Sequence, residues 1–204
     1  MKDIDVLITG SGGSGQSYFM KQLGKNFTTN CAADNDTLKH MSSPNHPKLS
    51  NYNVKKCIFL YNKSFECICS FYRRNPSWAW FQVVKLGNSG KLKAGNLSSA
   101  DNFFPLVEER NADLFSIEYQ FENWTNAKTD FPVYYVDFNN INIDKLASFL
   151  NCDKDILSFD VKKRREYPEL RDKYPLAYSL YQNLDLKKQS LAKEANSRQG
   201  LELN

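Results

Sequence analysis

The sequence predicts an α/β fold, a three-layer α/β/α arrangement with a central parallel sheet, in one domain spanning residues 1–204. Two observations carry that prediction. A β-branched run, Ile4-Asp5-Val6-Leu7-Ile8-Thr9, leads through a glycine- and serine-rich loop straight into a helical pattern. Two further apolar runs, Lys56–Tyr61 and Val133–Phe138, alternate with segments of helical periodicity. Apolar runs of this kind suit strands covered on both faces, and strand–helix alternation implies parallel pairing.

The elements follow in order. Met1–Thr9 is the first strand. Gly15–Lys25 is a helix with Phe19, Met20 and Leu23 as its apolar stripe. Thr28–Ala33 reads as a second strand. Asp34–Asn53 is polar, holds both histidines (His40, His46) and two prolines, and reads as a long loop. Lys56–Tyr61 is the strongest internal strand, followed by a helix over about Ser64–Arg74 that Pro76 terminates. Residues 75–111 form an aromatic-rich insertion, irregular in pattern, which fits either a binding lid or a unit with its own small core. Ala112–Lys128 is a helix with Leu114, Ile117, Phe121 and Trp124 on one face. Val133–Phe138 is a buried strand and Ile143–Leu150 a short helix. The charged tail from Val161 carries Lys162-Lys163-Arg164-Arg165, an amphipathic helix over Leu176–Leu191, and a last dozen residues that look frayed.

Bulk properties narrow the function. The 204 residues carry a net charge of only +4, from 27 basic and 23 acidic side chains. That balance favours an anionic ligand and does not suggest a general nucleic-acid binder. No apolar run reaches a membrane span and no signal peptide is visible, so a soluble, cytoplasmic protein is expected. The five cysteines are odd in number and lack metal-ligand spacing.

The chemistry is concentrated in the first loop, Gly10-Ser11-Gly12-Gly13-Ser14-Gly15-Gln16-Ser17. It fits the phosphate-binding P-loop spacing G-x-x-x-x-G-K-[ST], with Gln16 in the lysine's place. Glycines let the backbone turn tightly and approach an anion, whose charge faces the loop amides and the positive end of the following helix.

Five stretches in order resemble the sulfotransferase family, whose members have a P-loop-like fold and use 3′-phosphoadenosine 5′-phosphosulfate (PAPS), releasing the 3′,5′-bisphosphate (PAP). Gly12-Gly13-Ser14-Gly15-Gln16-Ser17-Tyr18 is similar to the family's 5′-phosphosulfate loop, Pro-Lys-Ser-Gly-Thr-Thr-Trp. Leu38-Lys39-His40-Met41-Ser42-Ser43-Pro44 resembles its Lys-x-His-x-Pro segment. Ile58–Lys63 through Ser70-Phe71-Tyr72-Arg73 is similar to its 3′-phosphate motif. Ile117–Trp124 and Val133–Asp137 through Leu150 resemble the later helix, strand and LxxFL helix. The family's loop lysine falls on Gly13 and its 3′-phosphate arginine on Asn62, while the serine survives as Ser70. Lys63 and the Lys162–Arg165 run are the candidate replacements for the lost charge.

The resemblance implies sulfuryl transfer from PAPS to a hydroxyl or amine on a small-molecule, glycan or peptide acceptor, with no metal. Cofactor binding then falls to Ser11, Gly12, Gly13, Ser14, Gly15, Gln16, Ser17, Asn62 and Ser70. His40 is the expected general base, or an ordinary loop histidine, and Lys39 stabilises the bridging oxygen. Trp78, Trp80 and Phe81 are expected to shape the acceptor pocket. Two alternatives remain. One is a P-loop nucleoside-triphosphate enzyme such as a kinase, with Ser17 and Asp137 serving Mg²⁺. The other is a catalytically inactive binding module with the same fold. Oligomeric state is not legible.

Overall fold

The computed structural model describes residues 1–86, 92–159 and 165–201. Strands β1 (Lys2–Gly10), β2 (Tyr52–Tyr61) and β3 (Val133–Asp137) form a parallel sheet in the order β1-β2-β3. The register runs from Lys2 opposite Tyr52 to Gly10 opposite Leu60, and from Cys57 opposite Val133 to Tyr61 opposite Asp137. Eight helices accompany the sheet among the described residues: α1 (Gln16–Leu23), α2 (Ser64–Arg74), α3 (Ser77–Lys85), α4 (Ala100–Arg110), α5 (Ile117–Asn126), α6 (Ile143–Leu150), α7 (Pro168–Lys173) and α8 (Pro175–Arg198).

Side chains alternate across the sheet, as the pleat requires. Val6, Ile8, Ile58, Leu60, Tyr134 and Val136 pack against α1 and α6 on one face. Cys57, Phe59, Tyr61, Val133 and Tyr135 pack against Phe121 and Trp124 of α5 and Ala192 and Ala195 of α8 on the other. Helices therefore cover both faces of a parallel α/β sheet. A third core lies beside the sheet, where Phe65, Ile68, Phe103, Phe104, Phe115 and Tyr181 join α2, α4 and α8.

Three expectations need correction. The second strand at Thr28–Ala33 reduces to one bridge, Thr29 beside Val6. The chain then turns away, and the amide of Asn30 completes the edge by accepting from Ile8 N at 2.8 Å and donating to Ile8 O at 3.0 Å. The supposedly irregular insertion holds two helices, α3 and α4, whose Val83, Phe103, Phe104 and Val107 are core residues. It has a core of its own, shared with α2 and α8. Helix pattern is weak there because the segment is apolar on more than one side. The described part of the tail, to Leu201, is not frayed: α8 runs to Arg198, and its last turns with Gln199 seal the free edge of β3. Asn196 accepts from Tyr135 N at 2.9 Å and donates to Tyr135 O at 3.0 Å, and Gln199 does the same at Val133, at 2.7 and 2.8 Å. Polar residues at the C-terminus look like fraying in a sequence, yet these two serve as strand partners.

Smaller shifts are local. The helix expected from Ala112 starts at Ile117, because Asp113 captures the amides of Phe115 (3.0 Å) and Glu118 (2.8 Å) ahead of it. The long loop after Asn30 ends in a turn over Pro47–Asn51, capped by His46, whose Nδ1 accepts from Lys48 N at 3.3 Å.

Candidate functional site

Ligands of open parallel sheets sit beyond the carboxyl ends of the strands. The loop after β1 lies there, and beside it opens a cleft of about 820 Å³. Its walls come from the loop, the 32–40 segment, the end of α2, and α3, with Arg165 and Tyr167 at the rim.

The loop is folded upon itself. Ser14 Oγ donates to the carbonyl of Ser11 and, at 3.2 Å, to Leu60 O. Gln16 Nε2 also donates to Ser11 O, at 2.7 Å. Ser11, Ser14 and Gln16 are buried, so their side chains staple the loop instead of facing outward. Gly15 has φ +96°, a left-handed conformation that favours glycine, and it leads into α1 with no side-chain cap on the helix N-terminus. A Cβ on Gly12 would strike Phe71 of α2 and Gln82 of α3, so glycine here permits the loop to pack against both helices. Gly13, Gly15, Gln16 and Ser17 line the cleft; Ser11, Gly12 and Ser14 lie behind them.

Lys39 stands at the mouth of this loop. Its Nζ donates to Ser17 Oγ at 2.6 Å and to Ala32 O at 2.8 Å. Desolvation lowers its pKa from the ordinary lysine value, with Asp34 acting in the opposite direction. The position follows from its neighbours. Leu38 and Met41 are buried on either side of the Lys39-His40 pair. Met41 O accepts from Gln120 Nε2 at 2.8 Å and Trp124 Nε1 at 3.0 Å, and Lys39 N donates to Asp34 Oδ1 at 3.0 Å. Two apolar anchors and three hydrogen bonds thus hold a polar segment against the loop.

His40 lines the same wall. Its Nδ1 lies 3.1 Å from Gly10 O. A carbonyl only accepts, so Nδ1 carries the proton and Nε2 keeps its lone pair. Burial pushes the imidazole pKa down to about 4, the Gly10 contact opposing only part of that shift. His40 is therefore neutral at neutral pH, with a free acceptor nitrogen.

The cleft is cationic. Arg73, Arg74, Lys85 and Arg165 join Lys39, against one carboxylate among the described lining residues, that of Asp34, which is ion-paired with Lys85. Ser70, Arg73 and Arg74 lie one turn apart at the end of α2, close enough to share one helix face. Arg74 donates to Ser70 O at 3.1 Å and stacks over Trp78, 5.2 Å from the ring. Trp78 and Phe81 are exposed on α3 and line the cleft.

The structure thus brings together Gly13, Gly15, Gln16, Ser17, Lys39, His40, Ser70, Trp78 and Phe81. It separates two others from them. Trp80 is turned into the α2–α4 core. Asn62 lies outside the cleft; its Oδ1 accepts from Lys63 N at 2.7 Å and Asn139 Nδ2 at 2.8 Å. Lys63 is exposed and away from the cleft lining. Of the basic run, Arg165 reaches the rim, and Lys162, Lys163 and Arg164 lie outside the described residues. Asp137 caps its own turn, accepting from Asn139 N at 2.9 Å and Asn140 Nδ2 at 3.0 Å, and does not line the cleft. Among the described residues no cluster of His, Cys, Asp and Glu has the makings of a metal site, and no helix is long and apolar enough to cross a membrane. Arg73, Arg74, Lys85 and Gln82 were not anticipated. The i, i+3, i+4 spacing of Ser70, Arg73 and Arg74 was the signal available for two of them.

No family model, no curated protein and no solved structure matches the chain.

Proposed function

We propose that the protein binds PAPS in this cleft and transfers its sulfuryl group to a hydroxyl or amine acceptor. The observation that carries the reading is the Lys39 ammonium, 2.6 Å from Ser17 Oγ at the loop mouth. The loop lacks its own lysine, and this one arrives from a segment more than twenty residues downstream. The donor set suits the ligand: an uncapped helix N-terminus, Lys39, and the Ser70-Arg73-Arg74 face as a second anion position. A volume of about 820 Å³ is adequate for a nucleotide.

In this reading PAPS supplies the sulfuryl group. The loop amides and Lys39 hold its 5′ end, and the α2 arginines take over the charge that Asn62 lacks. His40 Nε2 accepts the proton leaving the acceptor hydroxyl, a task for which a neutral imidazole with a fixed tautomer is suited. Its low pKa makes it a weak base, and the negative charge of a bound donor would raise that pKa. Trp78 and Phe81 offer apolar faces to a ring-bearing acceptor or a sugar. The kinase alternative loses its Mg²⁺ carboxylate, since Asp137 is engaged in its own turn.

Titration calorimetry with PAP, without metal, tests the reading. Binding by the native chain is expected, and Lys39→Met is expected to weaken it by about 1.5–3 kcal/mol, the range for a hydrogen bond to a charged group. Binding of ATP only with Mg²⁺, or of neither nucleotide, would overturn it.

A further inference from the structure

Helix α3 contributes one polar side chain to the cleft that no contact in the fold explains. Gln82 is 3% exposed, and its Nε2 has no hydrogen-bond partner among the described residues. The side chain lines the cleft, and its amide lies over Gly12 of the glycine loop with Oε1 its nearest atom to that glycine. Its neighbours there are the ring of Phe71 and the loop itself. A buried amide donor left unmatched is costly and is usually retained for a reason. An apolar residue of the same length would fill this space without that cost.

The charged groups that share the cleft are mainly cations, Lys39, Arg73, Arg74 and Lys85, and the Asp34 carboxylate is already held by Lys85. An acceptor oxygen is the missing partner. We infer that, with a half-turn of its amide, Gln82 donates a hydrogen bond from Nε2 to an oxygen of the anion held by the glycine loop, so that the inserted α3 helix completes the oxyanion site. The partner is a phosphoryl or sulfuryl oxygen, the chemistry that the loop, Lys39 and Gln82 would share. Gln82 is a binding residue in this account, supplied by a segment that otherwise builds its own core. The inference rests on the anion-binding reading above and assigns one more donor to it.

The test compares the native chain with Gln82→Met, which keeps length and apolar volume but removes the amide. Three quantities are read: thermal stability without ligand, affinity for PAP and affinity for PAPS. The expected result is equal or higher stability without ligand together with about tenfold weaker nucleotide binding, the factor that one ordinary hydrogen bond supplies. Loss with both nucleotides assigns the donor to the 5′-phosphate; loss with PAPS alone assigns it to the sulfuryl group. Gln82→Glu, placing a carboxylate against the bound anion, is expected to weaken binding further still. Native-like affinity of a folded Gln82→Met for both ligands would overturn the inference while leaving the nucleotide reading intact. Failure of the native chain to bind PAP would remove both.

Discussion

His40 shows how one side chain can be placed by its neighbours and tuned by its surroundings. The unfolded chain takes up a proton on this imidazole near the ordinary 6.5, and the folded chain resists it down to about 4. Between those values the unfolded state binds more protons, so acid destabilises the fold through this residue; the contribution is complete above pH 6.5 and is lost as pH falls toward 4. Urea midpoints at pH 7 and pH 5 should therefore differ more for the native chain than for His40→Asn, which keeps a donor for Gly10 O but does not titrate. An equal pH dependence in the two proteins would show that the imidazole is not held neutral. Lys39 follows the same logic with the same sign of charge. Burial disfavours its ammonium, and an anion at Ser17 would oppose that shift. Gly12 is constrained sterically as well as electrostatically. A carboxylate introduced there would collide with Phe71 and Gln82 before it could repel any ligand, so Lys39 and Gln82 are the cleaner positions to vary.

At the scale of elements, the sheet is narrow and both of its edges are finished by side-chain amides. Three strands leave two open rows of backbone groups, an invitation to unwanted pairing. Asn30 closes a part of the β1 edge, and Asn196 of α8 with Gln199 just past the helix closes the β3 edge. An amide suits this task because it carries a donor and an acceptor side by side, like a peptide group. Asn196→Ala leaves the N–H and C=O of Tyr135 without partners in a buried setting. The expected loss is about 2 kcal/mol or more, since each unmatched buried group costs about 1–3 kcal/mol. Denaturant titration measures it, and light scattering should show increased self-association. A loss under half of that would mean that water reaches the edge and replaces the amide. The same helix places Lys39 indirectly: α5, packed on α8, supplies the Gln120 and Trp124 donors that fix Met41.

Across the whole molecule, α8 pins the helical unit to the sheet. Tyr181 and Leu184 belong to the core built by α2 and α4, while Ala192 and Ala195 belong to the sheet face. Between them sits Lys188, 1% exposed, its Nζ donating to Asn62 O at 2.6 Å and Ser64 Oγ at 2.8 Å and pairing with Asp185 at 2.8 Å. Asp185 in turn accepts from the N–H of Ser64 at 3.0 Å, so one ion pair from α8 caps α2 and closes the end of β2. Asp185→Ala leaves a buried ammonium without its counter-charge and should cost about 3–5 kcal/mol, whereas Lys188→Met removes the charge itself and should cost less. Comparable losses in the two variants would place the energy in packing and not in the charge. The Asn62 carbonyl is committed to this junction, and its side-chain Oδ1 to Lys63 N and Asn139 Nδ2.

The sequence by itself determined the parallel α/β class, β1, the glycine loop after it, α1, β2, α2, β3 and α6. Each rests on local pattern: apolar runs, 3.6-residue spacing, and glycines between strand and helix. Tertiary structure decided the rest. The Thr28 segment became an edge bridge because Asn30 satisfied the strand through its side chain, and no local pattern records where a side chain will bond. The insertion became α3 and α4 because its aromatics found a shared core with α2 and α8. Lys39, Ser70, Arg73, Arg74 and Gln82 are spread over more than forty residues of chain, and only the packing of α2, α3 and the 32–41 segment around one loop gathers them into a single cleft. Spacing along a chain fixes which face a side chain shares within one element; which faces meet is settled by burial between elements.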